Sequence, residues 1–96
     1  MARARLNDAE IERELSTVAW TRDGDRITKT LRLADFRAAM AFVNRVAGVA
    51  EELNHHPDIS VSWNRVELAV TTHDSGGLTA RDFDLARAVD GLGVDG

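Results

Sequence analysis

Apolar positions recur along this chain in two rhythms, and the changes between them mark out the elements. Asn7-Asp8-Ala9-Glu10 has the form of an N-cap followed three residues later by Glu, the usual start of a helix. Ile11 and Leu15 then fall four apart on one face of a short helix. Val18 and Trp20 alternate with Thr17, Ala19 and Thr21, which predicts a strand. Asp23-Gly24-Asp25 supplies turn chemistry, and Ile27, Leu31 and Leu33 continue the alternation in a second strand. Lys29 interrupts that strand's apolar side, which suggests a place near a sheet edge. Asp35 is the expected N-cap of the longest element. In it Phe36, Met40, Val43, Ala47 and Ala50 recur at threes and fours, predicting a helix that buries this stripe in the core. Gly48 costs such a helix roughly 1 kcal/mol relative to Ala, a cost that close packing against a sheet would justify.

From Ile59 the period falls to two. Ile59, Val61 and Trp63 share one side, and Val66, Leu68 and Val70 repeat the pattern. A two-residue connection at Asn64-Arg65 would pair Trp63 with Val66, Val61 with Leu68 and Ile59 with Val70, placing both apolar sets, Trp63 included, on one buried face. Gly76-Gly77 opens a loop, and Thr79-Ala80-Arg81-Asp82 resembles a capping box with Asp in the acidic place. Phe83, Ala86 and Val89 then line a last helix, with Leu92 near its end. The order is α-β-β-α-β-β-α, an α+β fold with a four-stranded antiparallel sheet and its helices packed on one face. The other face, bearing Thr, Ser, Glu and Ala, is expected to meet water or another subunit.

Composition narrows the possibilities. The 96 residues suffice for a single domain spanning 1–96, one small enough that partner chains would add stability. The net charge of −4 argues against a nucleic-acid partner, since Arg3 and Arg5 are too few to make a basic face. No cysteine is present, which removes disulfides and thiolate chemistry. No apolar run reaches membrane-spanning length and the first residues lack a signal peptide's apolar core, so no membrane association and a cytoplasmic location are expected.

The candidate chemistry is concentrated between Glu51 and Asp82, which holds all the histidines (His55, His56 and His73) and the only proline, Pro57. Extending the hairpin register sets His56 opposite His73, and Glu51 would meet His55 if the helix persists that far. Imidazole titrates near neutrality, and a carboxylate beside it favours its charged form. One acid and one base in a shared pocket are what an elimination of water requires. Plainer readings also fit. His-His-Pro occurs at ordinary helix ends, Glu51 and Glu52 suit a solvated acidic terminus, and Asp82 has a structural role in its capping box. A metal is disfavoured because adjacent histidines in extended chain point apart and no His-x-x-x-His pair exists. Ser60, Ser62 and Ser75 lie near but sit on no nucleophile elbow. Gly76-Gly77 could admit an anion at the last helix's N-terminus.

The run Glu51-x-x-x-His55-His56-Pro57, the aromatic Trp63, then Thr72-His73-Asp74, Gly76-Gly77-Leu78-Thr79 and Asp82 resembles the signature of the pterin-4a-carbinolamine dehydratases. Trp20, Asp35-Phe36 and Phe42-Val43-Asn44-Arg45-Val46-Ala47 are similar to the family's wording upstream. The resemblance implies a homodimer or homotetramer that needs no metal or cofactor. Its members dehydrate 4a-hydroxytetrahydropterin (4a-hydroxytetrahydrobiopterin) to the quinonoid dihydropterin, recycling the pterin used by aromatic amino-acid hydroxylases. It also implies roles: His55 and His73 in proton transfer, His56 mainly in binding, Glu51 and Asp82 as supporting acids, and Pro57, Thr72 and Asp74 beside the substrate. Animal members double as dimerisation cofactors of a homeodomain transcription factor, and a task in molybdopterin metabolism is a further possibility. Ile59, Trp63, Lys29 and Leu31 depart from the family's usual residues, which bears on the pocket wall more than on the acid–base set.

Overall fold

The computed structural model describes residues 4–93, so Arg3 lies outside it. Its elements are α1 (Asp8–Leu15), β1 (Thr21–Asp23), β2 (Arg26–Arg32), α2 (Phe36–Leu53), β3 (Asp58–Ser62), β4 (Arg65–Val70), a 3-10 turn (His73–Ser75) and α3 (Ala80–Asp90). The strands form one antiparallel sheet in the order β1-β2-β4-β3. The α+β order and the four-stranded antiparallel sheet are as expected. Val66, Leu68 and Val70 of β4 are buried, and with Ile27 they form a core with Phe42 and Val46 of α2 and Phe83, Leu85, Ala86 and Val89 of α3. The opposite sheet face carries Thr28, Thr30, Ser60, Glu67 and Ala69 around an open groove. Among the described residues, no helix is long and apolar enough to cross a membrane.

Local capping sets each helix start. Asn7 Oδ1 accepts from the Glu10 amide at 2.8 Å, and Glu10 Oε1 accepts from the Asn7 amide at 2.9 Å. Asp35 Oδ1 caps α2 through the Ala38 amide at 2.8 Å.

Several expectations are changed by the structure. The first strand begins at Thr21, not Thr17. The Ser16 and Thr17 hydroxyls take carbonyls at the end of α1, and the Ala19 amide donates to Asp90 Oδ2 at 2.8 Å. Lys29 does lie near an edge: β2 neighbours the edge strand β1, Lys29 pairs with Leu68 of β4 and lies beyond the β1 pairing, and its ammonium reaches Asp90 Oδ1 at 2.9 Å and the Ala19 carbonyl at 3.1 Å.

In α2 the buried line is Ala39, Phe42, Val46 and Ala50, so the helix is turned from the expected stripe; Phe36 is 53% exposed and Met40 36%. Gly48 sits on the outer side, where a Cβ would meet nothing within 4 Å, so close packing does not explain it. The hairpin turn falls at Trp63-Asn64, pairing Ser62 with Arg65, Val61 with Val66 and Ile59 with Leu68. Asn64 draws the turn toward the end of β2, its Nδ2 donating to the Leu33 carbonyl at 3.0 Å and its own carbonyl accepting from the Leu33 amide at 2.8 Å. Trp63, at φ 52°, is left 65% exposed rather than in the core.

Asp90 joins three elements: besides Ala19 and Lys29, Trp20 Nε1 donates to it at 3.0 Å. Burial pushes this carboxyl up, but hydrogen bonds from Ala19, Lys29 and Trp20, with the Lys29 charge, outweigh that and hold it below its usual value. A lowered folded value means the stabilisation is fully present above the ordinary 3.8 and is lost as pH falls through the folded value. Asp90→Asn should therefore cost about 1–3 kcal/mol at neutral pH. In urea titrations at several pH values, the gap from the parent should close below pH 3.8; a gap independent of pH would contradict this reading.

Candidate active site

The exit from α2 places the histidine pair. Asn54 adopts the left-handed conformation (φ 50°, ψ 44°), and its amide returns to the carbonyls of Ala50 and Glu51, while the His55 amide donates to the Ala50 carbonyl at 3.1 Å. Asn is among the few residues that take this conformation readily at a helix end. Pro57 then disfavours helical geometry at His56, so the two rings diverge: His55 is buried and His56 exposed.

His55 points toward α3. Its Nε2 lies 2.6 Å from Oδ1 of Asp82, a carboxylate with no exposed surface. Oδ2 of Asp82 accepts from the Thr79 amide at 2.9 Å and from Thr72 Oγ1 at 2.8 Å, and the Thr72 and Thr79 hydroxyls meet at 2.8 Å. The capping box of α3 and the histidine thus share one carboxylate. An ionised carboxylate only accepts, so Nε2 carries a proton and Nδ1 of the neutral ring is the free acceptor. Among the described residues no buried side-chain nitrogen or oxygen lacks a partner. Nδ1 makes no hydrogen bond there, so it keeps some exposed surface, and His55 is among the residues that line the pocket.

Glu51 does not meet His55 as expected. Because Asn54 turns the chain, its Oε2 lies 2.5 Å from Nε2 of His56 in an exposed pair. Such a pair contributes little to stability. His73 does not stand opposite His56 in the ladder: the last β3–β4 pair is Asp58 with Ala69, and the chain then closes a loop through a bridge between Thr72 and Gly77. His73 opens the 3-10 turn of that loop, exposed and, among the described residues, with no hydrogen bond to its ring.

The three imidazoles nevertheless line one open pocket of about 340 Å³, with Asn54, Thr71, Thr72, Asp74 and Arg81. Pro57 is not among its lining residues. Thr72 borders it, but its hydroxyl is committed to Asp82 and its amide to Gly77. The groove on the outer sheet face is comparable at about 370 Å³ but has no histidine, so chemistry singles out the former. Among the described residues no group of three or more His, Cys, Asp or Glu could hold a metal. At the N-terminus of α3, which could have admitted an anion, the Thr79 amide is taken by Asp82 and the Arg81 amide by Thr79 Oγ1.

Asn54, Thr71 and Arg81 were not expected at the site. Asn54 carried a signal, an Asn directly after a helical run. Arg81 carried another, a cation in the first turn of a helix, where the dipole disfavours it.

The family model described as "Pterin 4 alpha carbinolamine dehydratase" matches residues 4–92. A protein of Roseiflexus sp. (strain RS-1) is 54% identical over 87 residues, covering 90% of this chain and 94% of that protein. One of Thermosynechococcus vestitus is 47% identical over 91 residues, covering 94% and 96%. Both bear the name "Putative pterin-4-alpha-carbinolamine dehydratase". The crystal structure of a transcriptional coactivator/pterin dehydratase from Brucella melitensis superposes with a TM-score of 0.87 at 31% identity, covering 92% of this chain and 97% of that one. A pterin dehydratase-like protein that is a RuBisCO assembly factor in the alpha-carboxysome shares the fold alone, at 20% identity and a TM-score of 0.62 over 78% and 87% of the two chains.

Replacing Asp82 by Asn tests the tautomer. The single carbonyl oxygen must serve the Thr79 amide and the Thr72 hydroxyl, which turns an amide N–H toward Nε2 and forces the imidazole proton onto Nδ1. Nitrogen-edited NMR at a pH where His55 is neutral should show Nε2–H in the parent and Nδ1–H in Asp82→Asn. The same tautomer in both would refute the assignment.

Proposed function

The chain belongs to the pterin-4-alpha-carbinolamine dehydratase family, and from that premise we propose that the histidine pocket dehydrates a 4a-hydroxytetrahydropterin by acid–base catalysis. In this elimination the C4a–O bond breaks, the N5–H electron pair becomes the second bond between N5 and C4a, and the N5 proton goes to a base. The departing hydroxide takes a proton from an acid and leaves as water, giving the quinonoid dihydropterin. No electrons enter or leave and the ring nitrogen drives the cleavage, so proton transfer is the only help the reaction needs from the protein. No cofactor is proposed.

The observation that carries this reading is the 2.6 Å contact of His55 Nε2 with the buried Asp82 carboxylate. It leaves Nδ1 as a base of fixed direction, and the same carboxylate stabilises the imidazolium formed when N5 loses its proton. His73, exposed and without an internal partner among the described residues, is suited to give a proton to the 4a-hydroxyl and recover it from solvent. His56, held beside Glu51, lines the pocket and contacts the pterin. Thr72 keeps Asp82 in place, while Asp74 borders the ligand. The exposed Phe36 and Met40 and the edge strands β1 and β3 favour a homodimer or homotetramer. The Brucella relative, called a transcriptional coactivator/pterin dehydratase, favours a second reading, a protein-binding role of the same fold, compatible with the enzyme.

Rapid mixing of freshly formed 4a-carbinolamine with purified protein should accelerate appearance of the quinonoid product well above the rate in buffer. His73→Ala should lower the catalysed rate by roughly 10²–10⁴ with the fold intact by circular dichroism. A parent protein no faster than buffer would end the dehydratase reading, and a loss below about tenfold would remove His73 as the acid.

A further inference from the structure

Arg81 is placed at an electrostatic disadvantage. It stands in the first turn of α3, where the helix dipole opposes a cation. Among the described residues its guanidinium forms no ion pair. Its one side-chain hydrogen bond there runs from Nη2 to the Asn54 carbonyl, 2.5 Å away. That carbonyl belongs to the left-handed residue preceding His55. The side chain is half-buried and lines the histidine pocket together with His73 and Asp74. A guanidinium carries five N–H donors in a planar fork, so most remain available to a ligand.

We infer that Arg81 is a substrate-binding and specificity-determining residue that donates hydrogen bonds to the 4-oxo group of the pterin. This rests on the dehydratase reading and extends it to the recognised edge of the ring. The 4-oxo carbon is bonded to C4a, the carbon that loses hydroxide, so a donor fixed on this oxygen orients the reacting carbon among the imidazoles. The hydrogen bond to Asn54 anchors one arm of the fork at the α2 exit, which ties the position of the ligand's carbonyl to that of His55. A fixed cation beside the leaving hydroxyl also favours the charge developing on it. The same arrangement rejects a pteridine with an amino group at position 4, which offers a donor to a donor.

Two probes separate this role from a structural one: 7,8-dihydropterin and its 2,4-diamino counterpart, titrated by fluorescence against the parent, Arg81→Gln and Arg81→Lys. The parent should bind the oxo compound at least about tenfold more tightly, as expected for one charge-assisted hydrogen bond. Arg81→Gln should bring the two affinities together, and Arg81→Lys should keep part of the difference. In turnover, Arg81→Gln should lower kcat/KM by roughly 10- to 100-fold, mainly through KM. Equal weakening of both probes in Arg81→Gln, with the preference intact, would assign Arg81 to structure alone and overturn the inference, while leaving a catalytically active parent as a dehydratase. A parent that neither binds the oxo compound nor accelerates dehydration would instead overturn the functional reading, and this one with it.

Discussion

One buried carboxylate holds the working parts of this molecule in register. Asp82 has no exposed surface and gathers Nε2 of His55, the hydroxyl of Thr72 and the amide of Thr79. These come from the exit of α2, the segment after β4 and the N-terminus of α3. A charge so deeply placed is tolerated because its lone pairs are occupied, and removing one partner would leave the others buried and unmet. The capping box that starts α3 is therefore also the support of the candidate base. Folding of the helix and orientation of the imidazole are one event.

Asp90, eight residues further along α3, plays the corresponding part at the other end of the helix. It binds the Ala19 amide, the Trp20 indole and the Lys29 ammonium, locking the connection after α1 and strand β2 against the helix. Between the two carboxylates lie Phe83, Leu85, Ala86 and Val89, which supply the apolar contact with α2 and the sheet. Directional polar ties at both ends of a short apolar helix fix its rotation and height, which non-directional burial alone does not do. The pocket depends on that rotation, since Arg81 and Asp82 are adjacent on α3 and take different tasks.

What could be read from the chain follows from how local each cause is. Asn7 with Glu10, Asp35 with Ala38, and Thr79 with Asp82 lie within one helical turn, and all three helix starts were legible. The buried line of α2 was not, because that helix is apolar on more than one side and only the sheet chooses between Ala39-Phe42-Val46 and Phe36-Met40. The hairpin turn moved by one residue because Asn64 bonds to Leu33, 31 positions away, a tie that alternation cannot reveal. For the site, the spacing of the histidines and the acidic residues indicated the right neighbourhood but not the pairs. Glu51 faces His56 instead of His55 because one left-handed residue, Asn54, reverses the chain between them. Arg81 lay inside a recognised motif, yet its role depends on the α2 exit brought against it by folding.

The proposed chemistry requires Nδ1 of His55, aimed by Asp82, to face the reacting nitrogen of a pterin. A crystal structure of the protein soaked anaerobically with tetrahydropterin measures this directly. The ring is expected among His55, His56 and His73, with its N5 within about 3.2 Å of Nδ1. A pterin seated in the groove on the outer sheet face, or held in the histidine pocket with N5 turned away from His55, would contradict it.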